Sequence, residues 1–149
     1  MGQLVFDFDA RPSVAVLPAA TVPGHVPRSR RDRGRRAFLS GQAAEEMVAR
    51  HYEGRGVAVL ARRWRGTGGE VDLVLRAPDT YVFCEVKRAA THDLALQRLR
   101  DGQVQRICHA ASEYIGLTPE GQLAPVRFDV ATVDAIGSVT ILEAAFGLF

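Results

Sequence analysis

Lysine is almost absent from this chain of 149 residues: Lys87 stands alone, and every other basic residue is arginine. The ammonium is a compact point charge on a flexible stem, whereas the guanidinium is a wide planar fork. Crowded chemistry around one water or one phosphate oxygen favours the ammonium, so the position of Lys87 carries information. Cysteine is scarce too. Cys84 lies in an apolar, strand-like run and Cys108 in a helix-like one, with neither C-x-x-C spacing nor paired histidines beside them. That excludes a disulfide framework and a sulfur-ligated zinc site, and leaves two buried thiols in a reducing compartment. No run is long and apolar enough to cross a bilayer, so no membrane association is expected. The segment Val14 to Ala20 is short, follows Asp7 and Asp9, and has no basic stretch before it, so no secretory signal is expected and the expected location is cytoplasmic. What is present, 47% hydrophobic and 24% charged residues, suits one globular domain of ordinary size.

The net charge of +2 is unevenly spread. Residues 28 to 36 hold Arg28, Arg30, Arg31, Arg33, Arg35 and Arg36 against Asp32, a local +5, so the remainder is mildly acidic. Such a run fits contact with a phosphate backbone, and equally fits a solvated linker. Pro12, Pro18, Pro23 and Pro27 interrupt the first 30 residues without helical or strand periodicity, so residues 1 to 32 are read as a flexible arm and 33 to 149 as the folded domain. On that arm, Gln3-Leu4-Val5-Phe6-Asp7-Phe8 loosely resembles the peptides by which bacterial replication and repair proteins hold the sliding clamp; an incidental apolar patch is the competing reading.

Within the domain, Phe38, Ala44, Met47, Val48 and Tyr52 recur at helical spacing, with Gly56 as a stop. Val57 to Trp64, Val71 to Arg76 and Tyr81 to Lys87 read as three strands joined by short turns. Residues 88 to 100 give no clear pattern. Asp101 can then cap a helix that ends at Gly116, and Val126 to Val133 and Val139 to Leu142 read as two closing strands. The order α-β-β-β-α-β-β predicts an α/β fold with a mixed central sheet flanked by helices.

Successive strand side chains point to opposite faces, so Glu85 and Lys87 emerge together. Asp72, thirteen positions before Glu85, is expected to meet it across a hairpin. Two neighbouring carboxylates repel unless one keeps a proton or a cation sits between them. Magnesium, or manganese in its place, suits such a donor set, with the backbone carbonyl of Val86 as a further oxygen. A divalent ion there would acidify water and offset charge growing on a phosphoryl group, with Lys87 orienting the water or stabilising the transition state. Glu45 lies beside the apolar stripe of the first helix and needs a partner, which could be the metal, Lys87 or an arginine at the domain surface. Glu46 points elsewhere and can pair with Arg50. Spacing alone also allows a solvated strand pair. The solitary lysine, the Gly68-Gly69 pair before Asp72 and the apolar character of both strands favour chemistry.

Gly69-Glu70-Val71-Asp72-Leu73-Val74 followed by Val82-Phe83-Cys84-Glu85-Val86-Lys87 resembles blocks of the YraN-like bacterial proteins, which are predicted nucleases. Gly41, Glu45, the run Ala61-Arg62-Arg63-Trp64-Arg65 and the run Arg127-Phe128-Asp129-Val130 extend the resemblance. It implies a restriction-endonuclease-like fold of the PD-(D/E)XK superfamily, with distant likeness to archaeal Holliday-junction resolvases, and magnesium-dependent phosphodiester cleavage in which Glu45, Asp72, Glu85 and Lys87 form the site. Two departures stand out. Gln103 takes the place of a Lys-Gln pair, leaving a group that can donate to phosphate or water but brings no charge. Arg63 replaces the usual Asn, and no proposed ligand is thereby put in question. The expectation is an endonuclease acting on DNA, on branched or repair and recombination intermediates, with a homodimer as one arrangement for symmetric substrates. A non-catalytic nucleic-acid-binding protein or a clamp-tethered accessory factor is the competing expectation.

Overall fold

A computed structural model describes residues 29 to 147, with the backbone alone for residues 36 to 39. Helix α1 spans Arg30–Glu53, followed by strands β1 (Ala58–Arg65), β2 (Glu70–Arg76) and β3 (Tyr81–Arg88). Helices α2 (His92–Arg98) and α3 (Asp101–Gly116) and a short 3-10 turn lead to β4 (Val126–Val133) and β5 (Val139–Phe146). The five strands form one sheet in the order β1-β2-β3-β4-β5. Strands β3 and β4 are parallel and the other neighbours antiparallel. This is the predicted mixed sheet flanked by helices, consistent with a restriction-endonuclease-like fold.

Asp101 does not cap α3 but is its first residue, with Arg100 at the cap position and no side-chain cap bond, and three further differences from the sequence reading have local causes. Helix α1 starts at Arg30, not Arg33, because Ser29 caps it: its hydroxyl accepts from the Asp32 N–H at 3.1 Å and donates to the Asp32 carboxylate at 2.8 Å. The basic run from Arg30 onward is therefore helical; Arg28, the rest of the arm and the clamp-like segment Gln3 to Phe8 lie outside the described residues. The patternless stretch contains α2, which Thr91 caps through the Leu94 N–H and which buries Ala95 against β4. Strand β5 runs past Leu142 to Phe146 because its register with β4 shifts between Phe128 and Val130, a bulge at which Ala144 adopts a φ of 50°.

Two apolar layers sandwich the sheet. On one face Ala44, Val48, Ala49 and Tyr52, at helical spacing on α1, pack against Leu73, Leu75, Val82, Cys84, Ala131 and Val133. On the other, Ile107, Ala110, Ala111 and Ile115 of α3 pack against Val71, Val74, Phe83 and Phe128. Asp129 is fully buried in the first layer. Its carboxylate accepts from Tyr52 Oη (2.7 Å), Arg127 Nε (2.8 Å) and Nη2 (3.0 Å), and the Ala144 N–H (3.1 Å). The last bond satisfies an amide that the bulge removes from the β4–β5 ladder, so Asp129 ties α1, β4 and β5 together.

Removing one partner of a buried ion pair leaves the other uncompensated, at a cost of about 3–5 kcal/mol. Asp129→Ala should lower the free energy of unfolding by that amount in urea titrations followed by circular dichroism. A loss below about 1 kcal/mol would mean that Arg127 simply turns to solvent and the network supports little.

Candidate active site

Strands β2 and β3 part company where the charged residues begin. Their pairing runs from Arg76 opposite Tyr81 to Leu73 opposite Cys84, and the next position in that register sets Asp72 against Glu85. There the Asp72 side chain takes over from the ladder: its Oδ2 accepts from the Val86 N–H at 2.8 Å. A strand residue's N–H and C=O leave on the same side, so the Val86 carbonyl faces the same gap.

The expected hairpin meeting of Asp72 and Glu85 is thus present, with the two carboxyl groups within hydrogen-bonding reach of each other. Glu85 is only 6% exposed. Burial, then the charge of Glu85, push the Asp72 carboxyl up to about 7, against the opposing pull of the Val86 N–H and Lys87. Lys87 emerges on the same face as Glu85, its Nζ 3.0 Å from Glu85 Oε1. Gln103, in the first turn of α3, locks both: its amide nitrogen donates to Glu85 Oε1 at 2.6 Å and its carbonyl accepts from Lys87 Nζ at 3.2 Å. Instead of pointing at solvent, it positions the pair.

Glu45 lies at the border of this group. Its carboxylate accepts from Arg63 Nε at 2.8 Å, so its partner here is an arginine, one of the three options open from sequence. Burial is the largest influence and raises its pKa, Arg63 opposes this, and the charge of Asp72 raises it further, which puts the two carboxylates within electrostatic range. Glu46 turns away to Arg50 and Arg62. The arginines of residues 30 to 35 are exposed along the first turns of α1.

Two contributors were not legible beforehand. The turn between β1 and β2 is clamped to α3: Glu113 accepts from the Thr67 N–H at 2.9 Å, the Thr67 hydroxyl and the Gly68 N–H at 3.2 Å. A Cβ at Gly68 would lie 2.2 Å from the His109 ring, and one at Gly69 would lie 2.5 Å from the Arg106 carbonyl, so only glycine permits the contact. Glu113 and Thr67 are 46 positions apart and carry no joint sequence signal. The second contributor is Arg63: the sequence reading offered Glu45 an arginine as one partner without identifying which.

The donors fit a divalent cation of the magnesium type. Two carboxyl groups forced together in a buried gap, with a backbone carbonyl facing it, are oxygen ligands whose mutual repulsion a cation relieves, and magnesium commonly uses one or two carboxylates. Among the described residues no group of three or more His, Cys, Asp or Glu side chains is arranged to hold a metal, and Glu45 is paired with Arg63. Of the ligands expected from sequence, the structure brings Asp72, Glu85 and Val86 together and holds Glu45 beside them.

The family described as "Uncharacterised protein family UPF0102" matches residues 44–133, a span that includes Glu45, Arg63, Asp72, Glu85, Lys87 and Gln103 but not the basic turns of α1. A UPF0102 protein of Cereibacter sphaeroides is 50% identical over 113 residues, covering 76% of this chain and 97% of the relative. A UPF0102 protein of Ruegeria pomeroyi is 48% identical over 115 residues, covering 77% of this chain and 94% of its own. One of Dinoroseobacter shibae is 46% identical over 115 residues, covering 77% and 86% respectively.

The raised Asp72 pKa has a consequence for stability. The fold holds a proton that the unfolded chain releases near pH 4, so stability is lost as pH rises from about 4 to about 7. Asp72→Asn keeps an acceptor for the Val86 N–H and removes the repulsion. In EDTA it should raise stability by on the order of 2–4 kcal/mol at pH 8 and by much less at pH 4 to 5, read as urea midpoints. A gain of equal size at both pH values would exclude ionic repulsion as its source.

Proposed function

We propose that this chain, which belongs to the uncharacterised protein family UPF0102, is a magnesium-dependent endonuclease that hydrolyses phosphodiester bonds in DNA, of the PD-(D/E)XK superfamily of restriction-endonuclease-like proteins. The observation that carries the reading is the gap between β2 and β3, which holds Asp72 and Glu85 within hydrogen-bonding reach and Lys87 Nζ 3.0 Å from Glu85 on the same face.

Asp72, Glu85 and the Val86 carbonyl would hold the magnesium, or manganese in its place. When bound, the ion would acidify water and offset charge on the phosphate. Lys87 would orient the attacking water or stabilise the charge of the transition state. Held by Glu85 and Gln103, and with its side chain only 20% exposed, it is preorganised before substrate arrives, which is what makes an electrostatic contribution large. Gln103 acts through these two residues, and Glu45 borders the site from α1. The exposed arginines of residues 30 to 35 would contact the phosphate backbone flanking the cleaved bond, in keeping with a substrate longer than one nucleotide step. Branched DNA and repair or recombination intermediates are the substrates we put first.

Labelled branched, single-stranded and duplex DNA should be cut in Mg²⁺ or Mn²⁺ and not in EDTA. Lys87→Ala should lower the cleavage rate about 10²–10³-fold, the usual effect of removing a preorganised electrostatic group, and Asp72→Asn should lower it at least as much. Binding without cleavage in every condition would sink the catalytic reading in favour of a binding protein. Separately, replacing Arg30, Arg31 and Arg35 by Gln should weaken binding to all sequences alike. It should also reduce the slope of log K against log salt by up to about 2.7, roughly 0.9 for each phosphate that is no longer neutralised. An unchanged slope would remove the basic turns of α1 from the interface.

A further inference from the structure

The C-terminal ends of β3 and β4 border a second opening, on the other face of the sheet from Glu85 and Lys87. A cavity of about 220 Å³ is lined there by Arg88, by Asp134 of the β4–β5 turn, and by Ser40, Ala43 and Met47 of α1. Arg88 follows Lys87 on β3, so its side chain leaves on the face where Cys84 and Val86 meet α1. Its backbone is fixed: the carbonyl accepts from Arg98 Nη1 at 2.7 Å, and the next N–H, of Ala89, donates to the Val133 carbonyl at 3.2 Å. The guanidinium of Arg88 makes no hydrogen bond or ion pair among the described residues. Asp134 is engaged through one oxygen. Its Oδ1 accepts from the Ile136 N–H at 3.0 Å and the Ser138 N–H at 2.8 Å, which shapes the turn, while Oδ2 has no partner among the described residues. An arginine and an aspartate thus border one cavity without pairing, each with bonding capacity unused. The walls between them are apolar, and the Met47 thioether closes against the turn, 3.6 Å from the point where Gly137 would carry a Cβ.

This combination selects among ligands. A phosphate would meet Arg88 but be repelled by Asp134, and an apolar group would desolvate both charges without bonding to either. A flat heterocycle with acceptors on one edge and a donor on another satisfies both. Guanine is the base that does so: O6 and N7 accept from a guanidinium, and the N2 amino group donates to a carboxylate. Adenine presents an amino group where guanine has O6, and so opposes Arg88. We propose that the cavity receives an unpaired guanine of the substrate strand, with Arg88 on O6 and N7 and Asp134 Oδ2 on the N2 amino group. A single ring system fills it, so the base has to leave its stack. The proposal rests on the nucleic-acid reading above and deepens it by adding a base preference near the cleaved bond. Arg88 adjoins Lys87 on β3, and Ser40 stands about 8 Å along α1 from Arg35, which sets the cavity between the lysine and the basic turns.

The test is binding of fluorescein-labelled single-stranded oligothymidylate carrying one guanine to the full chain in EDTA, which needs no cleavage. The guanine strand should bind about tenfold more tightly than the same strand with adenine in its place, as one bidentate base contact provides. Replacing the guanine by 7-deazaguanine, which lacks N7, or by hypoxanthine, which lacks the N2 amino group, should remove most of that gain. Arg88→Gln should make binding insensitive to the 7-deaza change. Asp134→Asn, whose amide oxygen keeps an acceptor for the turn, should make it insensitive to loss of the N2 amino group. A mere change in surface charge would instead shift all strands alike and preserve the differences between bases. Equal binding of the guanine and adenine strands, or base differences that survive both substitutions, would overturn the proposal while leaving nucleic-acid binding and the carboxyl pair intact. Failure to bind any strand would overturn the nucleic-acid reading and the proposal with it. A guanine preference without cleavage in Mg²⁺ would uphold the base site and refute the nuclease.

Discussion

Two carboxyl groups are held against each other in a buried gap of the sheet, and the surroundings of the site follow from that constraint. Asp72 and Glu85 face each other where β2 and β3 stop pairing, and each is braced by groups that the fold supplies. The Val86 N–H holds Asp72, while Lys87 and Gln103 hold Glu85. Burial and like charge both oppose ionisation, so the arrangement survives only because the rest of the structure prevents either side chain from swinging away. Its free energy is a deficit that packing elsewhere must offset.

That offset is visible on both faces of the sheet. Gln103 can reach Glu85 and Lys87 because α3 is fixed to the sheet by Ile107, Ala110, Ala111 and Ile115, and because Glu113 fastens the β1–β2 turn that leads into Asp72. The contact depends on three glycines in the turn, since side chains at Gly66, Gly68 or Gly69 would collide with Glu113, His109 or the Arg106 carbonyl. The opposite face is held by α1, whose Tyr52 bonds to Asp129 and whose Glu45 bonds to Arg63. Helices α1 and α3 thus each contribute a core stripe and polar contacts near the opening, which couples correct packing to correct site geometry.

How far the sequence reveals this depends on the range of the interaction. Alternation placed Glu85 and Lys87 on one face, and the short turn between two apolar runs placed Asp72 opposite, because strand period and hairpin register are local properties. The helix start at Ser29, the short α2 and the bulge in β5 are also local. They escape sequence reading because a serine before a run of arginines, a seven-residue helix with one buried alanine, and an alanine at positive φ carry weak signals. Contacts that join distant segments leave no pattern at all. Glu113 with Thr67, Gln103 with Glu85 and Arg63 with Glu45 emerge only once the sheet has brought α1, β1 and α3 around β2. The substitution at Arg63 looked neutral for the ligands because its spacing from Glu45 has no period that sequence reading can use.

A second buried carboxylate in the same sheet stands in contrast to the Asp72–Glu85 pair. Asp129 is as deeply buried, yet its two oxygens accept four hydrogen bonds, two of them from an arginine that also matches its charge. The fold can therefore neutralise an internal acid completely when the role is structural. At the gap it supplies three donors, the Val86 N–H, Lys87 and Gln103, for two carboxyl groups, and only one of those donors is charged. One sheet thus contains a carboxylate with its charge and bonding satisfied and a pair left short of positive charge, with a backbone carbonyl directed into the same space. That contrast, between an acid the sheet neutralises in full and a pair it does not, is what the proposed metal site rests on.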